Sequence, residues 1–254
     1  MSDRRKHWTP LAGAALAAFL SLAPNALADG TAGAPPLRHL VYSFTYGQEG
    51  DLTVHNETGY LGNTTSGAPG MHDYNGTVHD NGTITIDVVR EQPDTGLIVT
   101  ISEQATQTRR SDPATCVTYG TTNVICDPNK MVNSEELTLL RFLGRNFVDP
   151  TKLDEKGHWR VDESNAAVAT TSDYTIAPGK NGVVSIQETR VVKNLGALPV
   201  TTNVSTTIDY DVNRQVPTTV QEYTIRRESS SATGLMKTTV QTTLNLISDS
   251  MAKS

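Results

Sequence analysis

The stretch VTTNVSTTIDY (200–210) decides the fold. Val200, Thr202, Val204, Thr206, Ile208 and Tyr210 alternate with Thr, Asn, Ser and Asp. Side chains of an extended chain point to opposite faces with period two, so this run is a strand with one apolar and one wet face. Its neighbours repeat the pattern. VVSIQETRVVK (183–193) precedes it; VPTTVQEYTIRRE (216–228) and LMKTTVQTTLNLIS (235–248) follow. In 216–228, Val216 and Val220 hold one phase while Tyr223 and Ile225 hold the other. A β-bulge near Gln221 or Glu222 is expected to restore the facing. Long strands joined by short turns pair antiparallel with their sequence neighbours.

The same period runs through the first half. In HLVYSFTY (39–46), Leu40, Tyr42, Phe44 and Tyr46 share a face, and DLTVH (51–55) reads as a further short strand. TITIDVV (83–89) and LIVTISE (97–103) form a hairpin about Pro93-Asp94-Thr95-Gly96. Residues 59–76, rich in Gly, Asn and Thr, read as a long loop, and Asn75-Gly76 and Asn81-Gly82 as turns.

One segment has helical spacing. In NSEELTLLRFLGRNF (133–147), Asn133 and Glu136 have the spacing of a capping box. Ser134, Thr138, Arg141 and Arg145 line its polar side, and Leu and Phe cover a wide arc elsewhere. Such a helix needs a groove to lie in. A sheet with one apolar face must cover it, so the expected fold is mostly β. It is an antiparallel meander curled into a barrel or half-barrel, with the 133–147 helix packed on its apolar face. Residues 38–254 form a single β-rich domain of two meander halves joined by that helix.

The leader sets an expected address. Arg4, Arg5 and Lys6 precede the apolar run LAGAALAAFLSLA (11–23), and Ala26-Leu27-Ala28 supplies a small-x-small cut site. Residues 1–28 read as a secretory signal peptide and 29–37 as a disordered lead-in. The expected location is periplasmic or extracellular. Removing 1–28, with three basic residues and one acidic, from a chain of 21 and 27 leaves 18 against 26, about −8. That charge argues against nucleic acid and anionic membrane as partners. No later run approaches the roughly 20 apolar residues of a spanning helix. The only two cysteines, Cys116 and Cys126, share parity in CVTYGTTNVIC and should form a disulfide across a hairpin. Val117, Tyr119 and Ile125 then share the opposite, core-facing side, leaving the sulfurs toward solvent.

Candidate site residues are few. His72-Asp73 and His79-Asp80 recur seven residues apart, so His72, His79 and Asp80 are the candidate metal ligands, competing with a plain reading as turn residues. Glu188 and Glu222 continue the apolar phases of their strands and should point inward. With Leu140, Leu143, Phe147 and Trp159 they make the candidate ligand-binding set. There is no G-x-S-x-G, H-E-x-x-H or P-loop, and no cofactor is indicated. The layout, a leader followed by a curled antiparallel sheet holding a helix, resembles the half-barrels of periplasmic lipoprotein carriers. That likeness implies an exported, soluble, non-catalytic protein binding an apolar or lipid-like ligand in the concavity. The competing readings are a structural or adhesive envelope module and a hydrolase with loop-borne catalytic residues.

Overall fold

In the computed structural model the residues described are 35–54, 72–92, 96–106, 110–119, 123–144, 157–164, 166–179, 182–195, 200–230 and 234–253. The signal peptide, most of the lead-in, and Phe147 lie outside them. The strands are β1 (Arg38–Val54), β2 (His72–Gln92), β3 (Gly96–Ala105), β4 (Arg110–Tyr119) and β5 (Asn123–Cys126). The helix α1 (Ser134–Arg141) follows. Then come β6 (His158–Ser164), β7 (Val168–Pro178), β8 (Val183–Asn194), β9 (Val200–Asp211), β10 (Val216–Ser230) and β11 (Gly234–Asp249). All eleven strands form one antiparallel sheet, ordered β5-β4-β3-β2-β1-β11-β10-β9-β8-β7-β6. The first and last strands pair at its centre, and the sheet is open, with short β5 and β6 as its edges.

Period-two reading places the core correctly. Leu40, Tyr42, Phe44, Ile84, Ile86, Val99, Ile101, Ile186, Ile208, Val220 and Leu244 are buried on one face. Leu139, Leu140, Phe142 and Leu143 of α1 and its C-terminal end pack into the same cluster. Polar ties show that the face is concave. Ser111 Oγ on β4 donates to Glu136 Oε1 of α1 at 2.7 Å, while Arg141 of the same helix donates to Glu188 on β8. Those strands are seven places apart in the sheet order, about 34 Å along a flat sheet at ~4.8 Å per strand. An eight-residue helix is only about 12 Å long at ~1.5 Å per residue. Both contacts are met because the sheet curls around the helix.

Several expectations need correction. The helix ends at Arg141, short of residue 147; Phe142 caps it, its N–H donating to the Leu139 carbonyl and that of Leu143 to the Leu140 carbonyl, and Gly144 follows at φ +135°. The capping box is present, with the Asn133 N–H donating to Glu136 Oε2 at 2.7 Å. DLTV belongs to β1 rather than to a separate strand, and 72–76 belongs to β2 rather than to a loop. Asn75-Gly76 and Asn81-Gly82 are paired inside β2, against Asp51-Gly50 and Thr45-Phe44 of β1. Glycine at 82 is required by close approach: a Cβ there would collide with the Gln104 carbonyl of β3 and lie 2.8 Å from both Ala105 Cα and the Phe44 ring. The pairing of β10 with β9 shifts at Pro217/Thr219, not near Gln221. Tyr223 therefore stays on the outer face, 42% exposed.

The Cys116–Cys126 disulfide is formed, with the two residues directly opposed in the ladder. Its facing is the reverse of that expected. Cys116 pairs with Val99 on β3 and is fully buried, whereas Ile125 is 56% exposed. The register with β3, invisible within the hairpin's own sequence, decides the side. Closing so short a loop contributes about 3 kcal/mol by restricting the unfolded chain.

A clamp fixes the centre of the sheet. Arg38 donates to Asp249 through Nε (2.9 Å) and Nη2 (2.6 Å), and through Nη1 to the Arg214 carbonyl (2.7 Å). It thus joins β1, β11 and the β9–β10 turn. Asp211 holds that turn by accepting from the N–H groups of Asn213 and Arg214, each at 3.0 Å. Burial pushes the Asp249 carboxyl up, but the bonds from Arg38 and the Met251 N–H and the charges of Arg38 and Arg214 outweigh it. Its pKa therefore lies below the ordinary value. A lowered folded pKa means stability present above the unfolded carboxyl pKa of about 3.9 and lost as pH falls through the folded one. Asp249→Asn is expected to cost about 2 kcal/mol at neutral pH. Urea unfolding should show the wild-type advantage shrinking as the pH drops below 4, while the variant changes less.

Candidate functional site

One row of side chains crosses the concave face where α1 lies. In ladder order from the edge it runs Trp159, Tyr174, Glu188, Thr206, Glu222 and Thr242. Trp159 stacks on Tyr174 with ring centroids 4.7 Å apart and planes 8° from parallel. The Tyr174 hydroxyl donates to Glu188 Oε1 at 2.9 Å, and Thr206 Oγ1 donates to Glu188 Oε2 at 2.9 Å. Arg141 adds a third, charged donor to Oε1. The carboxylate is completely removed from solvent and its acceptors are taken.

Glu222 accepts from Thr138 Oγ1 at 3.1 Å and from Thr224 Oγ1 at 3.5 Å. Arg141 Nη1 lies 3.9 Å from it. One row further out is Arg190, which shares the face of Glu188 because it is two residues on. Its Nε is 3.8 Å from Glu188 Oε1 and its Nη2 is 4.0 Å from Glu222 Oε2. Two guanidinium and two carboxylate groups thus meet in a largely buried patch of zero net formal charge.

The electrostatics follow from crowding in a poorly solvated place. Burial raises the Glu222 pKa, opposed by Arg190 and Arg141. Burial and then the neighbouring Arg141 charge lower that of Arg190. For Arg141 burial acts downward, but Glu188, Tyr174 and Glu222 carry it up. Tyr174 is pushed up to about 12 by burial and then by the Glu188 charge.

Of the sequence-derived ligand set, Trp159, Glu188 and Glu222 come together here. Leu140 and Leu143 sit in the adjoining packed core, beside α1. The candidate metal residues are not gathered. His72 and His79 lie on one extended strand, about 23 Å apart along the chain at ~3.3 Å per residue. Asp80 is buried and accepts from Thr106 Oγ1 at 3.2 Å and from the Asn81 N–H at 2.8 Å. Among the described residues no group of three His, Cys, Asp or Glu is placed to hold an ion.

Sequence reasoning passed over Arg141, Arg190, Tyr174 and Thr206. Arg190 was legible from the parity it shares with Ile186 and Glu188. Helical spacing puts Arg141 on the polar side of the helix. Thr138 and Arg141 in fact face Glu222 and Glu188, while Leu137 is 37% exposed.

No family model matches the chain, and no curated protein does. Among solved structures, one describing lipid–protein interactions in lipovitellin aligns with 86% of this chain at 11% identity and a TM-score of 0.45. The alignment spans 26% of that protein's length.

Removing one charge from the Arg141–Glu188 pair strands the other in the core. Arg141→Met is expected to cost about 3–5 kcal/mol. The double variant Arg141→Met/Glu188→Leu should cost clearly less than the sum of the two single changes, giving a coupling energy in a urea-unfolding cycle.

Proposed function

We propose that this is an exported, non-catalytic binding protein that holds an amphiphile in the concavity of its open sheet. The observation that carries the reading is a change in burial along the concave face. Beside α1 that face is sealed, with Ile186, Glu188, Ile208 and Leu244 at 1% exposure or less. Beyond the charged row the same face continues with Val192, Thr202, Thr238 and Val240, which are only half-buried. Strands this long extend that face into a half-open shelf of aliphatic and hydroxyl side chains crossed by the Arg226–Glu228 ion pair, with the buried charged row at its inner end. Such a shelf suits a molecule that is greasy along most of its length and polar at one end.

The exported address is supported by two features. One is the disulfide, which persists in oxidising compartments. The other is the basic, apolar, small-residue order of the leader. No helix among the described residues is long and apolar enough to cross a membrane.

Trp159 gives a direct readout, since it stacks on the tyrosine that holds Glu188. Of the two tryptophans in the sequence, Trp8 lies in the leader, so the protein without residues 1–28 reports Trp159 alone. Titrating that mature protein with a single-chain C12 amphiphile below its micelle concentration should shift Trp159 emission saturably. It should also raise the thermal midpoint. No change in either property would reject the reading.

A further inference from the structure

Arg190 differs from every other charged group in the cluster in how it is satisfied. Glu188 has three hydrogen-bond donors, Glu222 has two hydroxyl donors, and Arg141 donates to Glu188. Arg190 has charge partners but no hydrogen bond to them. Its two carboxylate approaches, 3.8 Å to Glu188 Oε1 and 4.0 Å to Glu222 Oε2, are both beyond bonding range. Its Nε is buried with no acceptor, as is Arg141 Nη1 beside it. The side chain is still 22% exposed. An arginine's donors form a rigid fork, and leaving buried ones unbonded is costly.

Placement adds a direction. Arg190 lies opposite Ser172 and Val204 in the ladder, at the boundary between the sealed row and the half-buried shelf. The next row outward on this face is Thr170, Val192 and Thr202. A chain lying along that shelf would bring its polar end to the fork.

We propose that Arg190 receives an oxyanion head group, a carboxylate or a phosphate, of the amphiphile held in the concavity. This rests on the function proposed above. A planar fork matches such a group through two parallel hydrogen bonds. Glu222 opposes it: its charge supports Arg190 in the empty protein and repels the arriving anion. The pair therefore sets head-group selectivity, with Arg190 attracting and Glu222 limiting affinity.

The test compares dodecanoate, dodecyl phosphate and dodecanol by calorimetry on the intact protein, with acetate and inorganic phosphate as heads without tails. Wild-type protein should bind the two anions roughly tenfold or more tighter than the alcohol. Arg190→Gln should erase that preference and leave dodecanol binding unchanged. Arg190→Lys, which keeps the charge but loses the fork, should restore part of it. Glu222→Gln should tighten the anions alone. An undiminished preference in Arg190→Gln, or weaker anion binding in Glu222→Gln, would overturn the proposal while leaving the amphiphile reading standing. Failure of all three C12 probes would instead remove the amphiphile reading. Acetate or phosphate binding as tightly as its C12 counterpart would assign Arg190 to a free oxyanion and overturn the lipid head-group assignment.

Discussion

The ion pair between Arg141 and Glu188 is the constraint on which the rest of the molecule depends. It ties α1 to β8, far from β4, where Glu136 meets Ser111. One short helix thus touches strands from both halves of the sheet, and the curvature follows. A buried ion pair is a poor source of net stability, because desolvating both charges offsets most of their attraction. The favourable free energy comes from Leu139, Leu140, Phe142 and Leu143, each contributing about 1.5–3 kcal/mol on burial. Leucine and phenylalanine against a sheet of Ile and Val accept many orientations. A charged pair with three donors on one carboxylate accepts far fewer, so it selects the helix position among those that burial alone would allow.

Topology then concentrates risk at the sheet centre. Because β1 pairs with β11, the ladder that joins the two meanders is made by the first and last described strands. Strand termini fray easily, and fraying here would separate the halves. The bidentate Arg38–Asp249 pair lies at that point, and Arg38 also reaches the carbonyl of Arg214 in the β9–β10 turn. At the two outer edges a different device operates. β5 is four residues long and stapled by the disulfide, and β6 is seven residues long. Short edges offer little template for adding a foreign strand.

How much of this was legible depended on whether the deciding contact was local. Period-two alternation put Tyr42, Ile86, Ile208 and Leu244 on the core face, and it turned Glu188 and Glu222 inward. The helix cap at Asn133 and the opposition of Cys116 to Cys126 were equally readable, since each lies within one element or hairpin. The misreadings share a cause in register with a distant strand. Asn81-Gly82 has the composition of a turn, yet Gly82 is there because the Gln104 carbonyl of β3, with Ala105 and the Phe44 ring, occupies the space of a Cβ. Cys116 faces inward because it is opposite Val99, which no pattern within 116–126 reveals. Arg141 has the spacing of a solvent-facing residue on an amphipathic helix. Only the position of β8 turns that face into a buried one.

The charged row also changes what the concavity is. A groove lined by Leu, Ile, Val and Phe alone would select by length and bulk, with nothing to orient an occupant. With Glu188 sealed under Arg141, Tyr174 and Thr206, the two ends of the concave face differ in kind. The inner end is closed and polar, the outer end half-open and mixed, with Val192 and Val240 beside the Arg226–Glu228 pair. Glu188 is completely buried under its three donors, so it shapes the floor without contacting what lies on it. Arg190 has donors to spare and some exposure, and it stands where the two regimes meet. Outward of it the same face carries the Arg226–Glu228 pair, which is matched within itself, so the donor left unmatched on this face belongs to Arg190.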